Sequence, residues 1–146
     1  MNWKAVAAAV AMAGMAVGSV TAADGTHDSR VALMKQTGGS AGALAAIAKG
    51  TKPYDAEAVK TALTTIAATA KVFPDQFKPG SETNDEGASP KIWENMDDFK
   101  AHAAKLSSDA ETALAQLPAD PAAVGATLNT LGANCGGCHK AYRLSK

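Results

Sequence analysis

PAAVGATLNTLGANCGGCHKAYRL, residues 121–144, is the segment of the chain whose spacing most clearly predicts a structure. Asp120 can cap a helix that starts at Pro121, where the missing N–H of proline costs nothing. Apolar and small residues then recur at steps of three and four, the period of one helix face. They are Val124, Leu128, Leu131, Cys135, Cys138 and Tyr142. The segment therefore predicts a helix with one narrow buried stripe.

The same period recurs in three earlier segments, at about 26–49, 55–73 and 90–117. Asp55 and the pair Ser89-Pro90 supply start signals, and Gly50, Pro74 and Pro118 interrupt the pattern. The stripes run through Met34, Thr37, Ala41, Leu44 and Ala48; through Val59, Leu63, Ile66, Ala70 and Phe73; and through Ile92, Met96, Phe99, Ala103, Leu106, Ala110, Ala113 and Leu117. Each of these segments is predicted to be one helix.

Four stripes of similar length, mostly joined by short loops, predict an all-α antiparallel four-helix bundle. The exception is residues 74–89, which we expect to run over the surface. Because alanine dominates the stripes, the side chains alone would bury little area per residue. The composition therefore predicts that a bulky group completes the core.

The first 22 residues read as a secretory signal, with Lys4 followed by an uncharged apolar run and by small residues up to Ala22. A membrane anchor is the competing interpretation, but the run of about 13 residues is shorter than the roughly 20 needed to span a bilayer. Residues 23–146 are then one exported domain, in the periplasm of an exporting bacterium. The 14 basic and 14 acidic residues form no basic stripe, which argues against nucleic-acid binding.

Cys135-Gly136-Gly137-Cys138-His139 has the C-x-x-C-H spacing of covalent haem c attachment. Cysteines three apart on a helix project to one side, so both sulfurs can bond to one porphyrin. His139 follows on the same turn and can offer a ring nitrogen to the iron. The motif predicts one haem c per chain, bound through Cys135 and Cys138.

The sequence gives less support to three other uses of these cysteines. A redox dithiol is expected at the start of a helix after a strand, where the thiol pKa is lowered. A structural zinc site normally has four protein ligands, and the sequence holds no second C-x-x-C and no paired histidines. A simple disulfide between the two cysteines is the third alternative.

The second axial position of the iron separates electron transfer from gas binding. The mature chain offers Met34 and Met96, with His27 and His102 as the remaining histidines. Met34 lies near the start of the first stripe and could reach the haem, although a methionine there could equally fill the core. Met96 is better explained as a core residue, and we expect both histidines to be solvated.

Two arginines are candidates for contacts with haem propionates. Arg143 stands one helical turn after His139, where a cation also suits a helix C-terminus, and Arg30 stands one turn before Met34. Trp93 and Tyr142 are interpreted as packing residues rather than electron relays.

With these residues in view, the chain resembles the class II c-type cytochromes, the cytochrome c′ family, over residues 28–146. Closest is the low-spin, methionine-ligated cytochrome c-556 type. The strings that carry the likeness are Leu33-Met34-Lys35, Ala46-Ile47-Ala48-Lys49-Gly50, Lys52-Pro53-Tyr54-Asp55, Ser89-Pro90-Lys91-Ile92-Trp93 and the haem motif followed by Tyr142-Arg143. The resemblance implies that Met34 is the second axial ligand of the iron.

The sequence thus favours a periplasmic one-electron carrier that is not an enzyme, with periplasmic or membrane redox proteins as partners. Homodimerisation is common in the family that the chain resembles, so the resemblance makes a homodimer one of the expected states. Two other interpretations stay open: a high-spin, five-coordinate protein that binds small gases such as nitric oxide, and a helical interaction module without haem.

We predict that the exported protein begins at Ala23, because the small residues Val20-Thr21-Ala22 fit a signal-peptidase site. N-terminal sequencing of the exported chain checks this directly. Recovery of a chain that still starts at Met1 would contradict it, whereas a start at Asp24 would move the site by one residue.

Overall fold

The computed structural model describes residues 25–82 and 85–144. Its helices are α1 (His27–Ala48), α2 (Ala56–Val72), a short 3-10 helix (Phe73–Gln76), α3 (Lys91–Glu94), α4 (Met96–Ala115) and α5 (Pro121–Tyr142). Within the described ranges there is no strand, and no helix is both long and apolar enough to cross a bilayer. The predicted all-α class and four-helix bundle are confirmed, with α1, α2, α4 and α5 as the four long helices. The predicted signal segment, residues 1–22, lies outside the described residues.

Two of the predicted capping residues, Asp55 and Asp120, begin helices, whereas at Ser89-Pro90 the proline is itself the N-cap of α3 and not its first helical residue. Asp55 accepts hydrogen bonds from the amides of Glu57 and Ala58, and Asp120 accepts one from the amide of Ala123. Each carboxylate thereby satisfies amides that the first turn of a helix leaves without a partner.

The prediction of a single helix over residues 90–117 is wrong at one point. Asn95 leaves the helical region, with φ −131° and ψ 49°, and separates α3 from α4. Its amide N–H and its side-chain Nδ2 both donate to the carbonyl of Lys91, so local hydrogen bonds close α3 before α4 begins. The chain therefore turns just ahead of the acidic residues Asp97 and Asp98, which suit the positive start of α4.

Neighbouring long helices are antiparallel, as contacts along the bundle show. Four pairs mark the register: Thr37 Oγ1 and Thr69 Oγ1 at 2.8 Å, Ser107 Oγ and the carbonyl of Ala67 at 3.1 Å, Asn134 Nδ2 and Asp109 Oδ2 at 2.6 Å, and Ala48 Cβ at 3.7 Å from a Cβ added to Gly125. The last pair brings the end of α1 against the beginning of α5.

The buried side chains form two groups at opposite ends of the bundle. The aliphatic core joins the end of α1 to the beginning of α5 through Leu44, Ile47, Val59, Leu63, Ile66, Val124 and Leu131. The aromatic cluster consists of Phe73, Phe77, Trp93, Phe99 and Tyr142, with ring centroids of neighbouring members 4.8–6.0 Å apart. Cys138 packs against the aromatic cluster, so the predicted haem motif lies at that end.

A buried ion pair ties Asp85, which precedes α3 in the chain, to α1. The guanidinium of Arg30, 4% exposed, donates to Asp85 Oδ2 at 2.6 Å and to the carbonyl of Gln76, and it stacks 4.3 Å from the ring centroid of Phe77. Asp85 also accepts from the amides of Gly87 and Ala88. The prediction that residues 74–89 run over the surface is wrong at both ends, because Gln76, Phe77, Ala88 and Ser89 are buried, and the ion pair holds Asp85 between them.

We predict that Asp85→Asn lowers the free energy of unfolding by about 2 to 4 kcal/mol, because it leaves a buried guanidinium without its counter-charge. Burial alone would raise the pKa of Asp85, but the hydrogen bonds from Arg30 and from nearby amides lower it to about 2. The carboxylate therefore stabilises the fold above its unfolded pKa of about 4, and this contribution is lost as the pH falls toward 2.

Chemical denaturation of the haem-loaded protein between pH 7 and pH 3 measures both effects, with the exposed Asp75→Asn as control. Equal losses in the two variants would contradict the role of the ion pair.

Candidate functional site

Cys135, Cys138 and His139 stand on the last turns of α5. Both cysteines are free thiols of intermediate exposure, and His139 is exposed. Because α5 is a continuous helix from Pro121 to Tyr142, its period places the two sulfurs on one side and His139 one turn from Cys135. The structure thus brings these three predicted residues together in the arrangement that two thioether bonds and one iron ligand require.

The electrostatics of the motif argue against a redox dithiol. Burial raises the pKa of Cys135, and burial together with the charges of Cys135 and Asp98 raises the pKa of Cys138 to about 11. Reactive dithiols instead have a lowered thiol pKa. For His139, the loss of water around part of the ring, followed by the positive charge of Arg143, lowers the pKa and favours the neutral imidazole that can bind iron.

The donor set does not suit a bare metal ion. Among residues 25–82 and 85–144, no group of three or more histidine, cysteine or acidic side chains could hold one. The zinc alternative therefore lacks ligands in the part of the chain that the structure describes.

Met34 lies level with His139 across the α1–α5 interface. From the contact between Ala48 and Gly125, Met34 is 14 residues back along α1 (48 − 34) and His139 is 14 residues forward along α5 (139 − 125). In antiparallel helices both steps lead the same way, by about 21 Å. Fourteen residues are also close to four full turns (~14.4), so both side chains lie on the faces that meet at the contact.

The helix faces around Met34 and His139 leave room for a large flat group. A Cβ added at Gly38, Gly132 or Gly136 would meet no heavy atom within 4 Å, in contrast to Gly125 near the aliphatic core. Gly38 stands one turn after Met34, and Gly132 stands two turns before His139. Two thiols, an imidazole and open glycine faces fit a covalently attached porphyrin.

The structure gives Arg30 and Arg143 settings that differ from those expected. Arg30, predicted to contact a propionate, uses its guanidinium on Asp85 and on the carbonyls of Gln76 and Ser81. Arg143 is exposed, but α5 ends just before it, because residues 87–89 pair with residues 142–144 through backbone hydrogen bonds. The propionate contact of Arg143 stays a prediction.

The remaining ligand candidates have local partners. His27 is the first residue of α1, with Nδ1 3.1 Å from Asp85 Oδ1. His102, expected to be solvated, has a side chain only 33% exposed and a ring that meets Tyr142 edge to face at 5.9 Å. Met96 packs against the aromatic cluster, as its assignment to the core predicted.

Sequence reasoning missed a polar group beside the motif. The hydroxyl of Tyr142 donates to Asp98 Oδ2, and His102 Nε2 is 3.6 Å from the same oxygen. The spacing of Asp98 and His102, four residues apart on a helix, was the available signal. The contact of Asp98 with Tyr142 spans 44 residues of sequence, and no sequence pattern indicated it.

Comparisons with known proteins point to one family. The pattern of the family described as Cytochrome C′ matches residues 26–143. A cytochrome c-556 of Agrobacterium tumefaciens (strain apple 185) is 71% identical over 122 residues, which cover 84% of this chain and 97% of that protein. A mutant cytochrome c′ of Rhodopseudomonas palustris is 33% identical with a TM-score of 0.77, covering 85% of this chain and all (100%) of that one. The oxidized cytochrome c556 of R. palustris is 32% identical with a TM-score of 0.73, covering 82% and 96%.

We predict that Gly132→Leu lowers the fraction of exported protein that carries haem, because the new side chain enters the open space along α5 two turns before His139. Gly39→Leu is the matched control: it is also a helical glycine with no heavy atom within 4 Å of an added Cβ, but it borders the groove between α1 and α2. The ratio of haem absorbance to protein mass measures the occupancy. If both variants load haem like the parent, the α1–α5 space is not where the group sits.

Proposed function

The chain belongs to the cytochrome c′ family and carries covalently bound haem c, and from this we propose that it is a periplasmic one-electron carrier whose iron is held by His139 and Met34. Cys135 and Cys138 would form the two thioether bonds. The haem iron supplies the chemistry by gaining and losing one electron. Periplasmic or membrane redox proteins would be the donors and acceptors.

The register of α1 against α5 carries this proposal. It brings a methionine thioether level with the imidazole of His139, on the helix faces that meet at Ala48 and Gly125. High-spin members of the family that the chain resembles leave the sixth position open behind an apolar side chain. Methionine is instead a known partner of histidine in haem proteins that transfer electrons.

This pair of residues suits electron transfer for two reasons. A ligand on each side of the iron in both oxidation states keeps structural rearrangement small when the electron moves. A thioether ligand and a partly buried setting both favour the reduced state relative to a more polar site. The proposal invokes no general acid, base or nucleophile from the chain.

The periplasmic location is supported by the predicted signal segment, residues 1–22. Covalent haem attachment in bacteria takes place after export, which agrees with a mature chain that works outside the cytoplasm. A homodimer is compatible with the proposal, and the carrier role does not depend on it.

We predict that Met34→Ala converts the haem from low spin to high spin and allows rapid carbon monoxide binding, because the iron loses its second protein ligand. Met96→Ala, which removes the same side chain from the aromatic cluster, keeps the low-spin spectrum. Reduced and oxidised optical spectra with and without carbon monoxide measure both effects. A parent protein that binds carbon monoxide at once would support the five-coordinate, gas-binding alternative, and an unchanged spectrum in Met34→Ala would remove Met34 from the coordination.

A further inference from the structure

Asp98, Tyr142 and His102 form a polar cluster between α4 and α5. Tyr142 is 6% exposed, and its hydroxyl donates to Asp98 Oδ2 at 2.5 Å. His102 lies one turn after Asp98 on α4, with its Nε2 atom 3.6 Å from the same carboxylate oxygen. The hydrogen bond from a buried phenol thus holds one carboxylate oxygen in place, although the Asp98 side chain is 65% exposed.

The cluster touches the part of α5 that bears the haem motif. Tyr142, a member of the aromatic cluster, lies one turn after Cys138, which packs against that cluster. The Cε1 atom of His102 is 3.9 Å from a Cβ added at Gly137, the residue between Gly136 and Cys138. The carboxylate of Asp98 is therefore held against the last turns of α5, on the side that faces α4.

The charge of Asp98 stands out against its surroundings. Residues 121–142 contain no acidic side chain, and the charged groups at the end of α5 are the cations Lys140 and Arg143. Other carboxylates also hydrogen-bond to α5: Asp120 accepts from the amide of Ala123 at the start of the helix, and Asp109 accepts from Asn134. Asp109 lies three turns further along α4, away from the motif. The field of Asp98 reaches Cys138, whose pKa it helps to raise.

We propose that the negative charge of Asp98 lowers the reduction potential of the haem iron, and that Tyr142 is the positioning residue that holds this charge in place. An oxidised haem iron carries one more positive charge than a reduced one, so a fixed negative charge nearby stabilises the oxidised state. Tyr142 contributes by keeping the carboxylate against α5 rather than free in solvent. The inference rests on the proposed electron-carrier function and adds to it a residue that tunes the carrier.

Asp98→Asn removes the charge and keeps an oxygen that can accept from Tyr142. At a fixed solution potential it raises the ratio of reduced to oxidised protein by roughly threefold to tenfold, the range expected for one partly screened charge. A tenfold change corresponds to 59 mV for one electron. The shift shrinks as salt is added, because the carboxylate is partly exposed.

The matched control is Asp97→Asn, which makes the same change of charge on the adjacent, exposed residue. It is expected to move the potential by less than half as much, because the side chain of Asp97 projects from α4 in a different direction from that of Asp98. Tyr142→Phe keeps the Asp98 charge but releases it, so its potential lies between those of the parent and Asp98→Asn. Spectroelectrochemical titration of the three haem-loaded variants at about pH 8, above the ordinary pKa of histidine, gives the potentials.

Optical spectra and thermal unfolding of the same samples separate the effect of the lost charge from any effect on the fold. Asp98→Asn is expected to keep the low-spin spectrum, so a missing potential shift in such a protein overturns the role of Asp98 and leaves the axial ligation untouched. A lower melting temperature with an unchanged potential assigns a structural role only and also overturns the proposal. Equal shifts in Asp97→Asn and Asp98→Asn mean that net charge acts without positioning, which contradicts it as well.

Discussion

The close approach of α1 and α5 at Ala48 and Gly125 is the constraint on which the site depends. A Cβ added at Gly125 would lie 3.7 Å from the Cβ of Ala48, an ordinary van der Waals distance, and the aliphatic core on either side fixes the register. Since both helices rise by about 1.5 Å per residue, that one contact sets the level of every residue further along. Met34 and His139 are brought level by packing that lies about four turns away from them.

The two ends of the bundle differ in packing, and the haem motif lies at the end away from the aliphatic core. At one end, leucine, isoleucine and valine close the core and leave little space. At the other end, glycines on α1 and α5 leave room near the motif, and an ion pair between Arg30 and Asp85 holds Asp85 against α1. Hydrophobic burial stabilises both the aliphatic core and the aromatic cluster, while the glycines of α1 and α5 near the motif stay open.

Much of this arrangement could be predicted from the sequence because the signals are local. Helix caps such as Asp55 and Asp120, the three- and four-residue periods and the C-x-x-C-H spacing each act within a few turns of chain. The local prediction that failed is the single helix over residues 90–117. The side chain and amide of Asn95 end α3 early, but the apolar stripe continues from Ile92 to Met96 and gives no sign of the break.

Contacts that are remote in sequence could not be predicted. Arg30 meets Gln76 and Asp85 across 46 and 55 residues, and no pattern on α1 indicates which loop will cover it. The long-range pairing of Tyr142 with Asp98 depends in the same way on how α4 packs against α5. These are the contacts that took Arg30 away from its predicted partner and placed a carboxylate beside the haem motif.

The most direct test of the central claim is mass spectrometry of a proteolytic fragment that contains Cys135 and Cys138, taken from protein exported by a bacterium that attaches haem to cytochromes. The account predicts one fragment that carries the mass of a single haem, bound to both cysteines and stable to denaturation. The same fragment found with two free thiols, or with a disulfide between them, would contradict it.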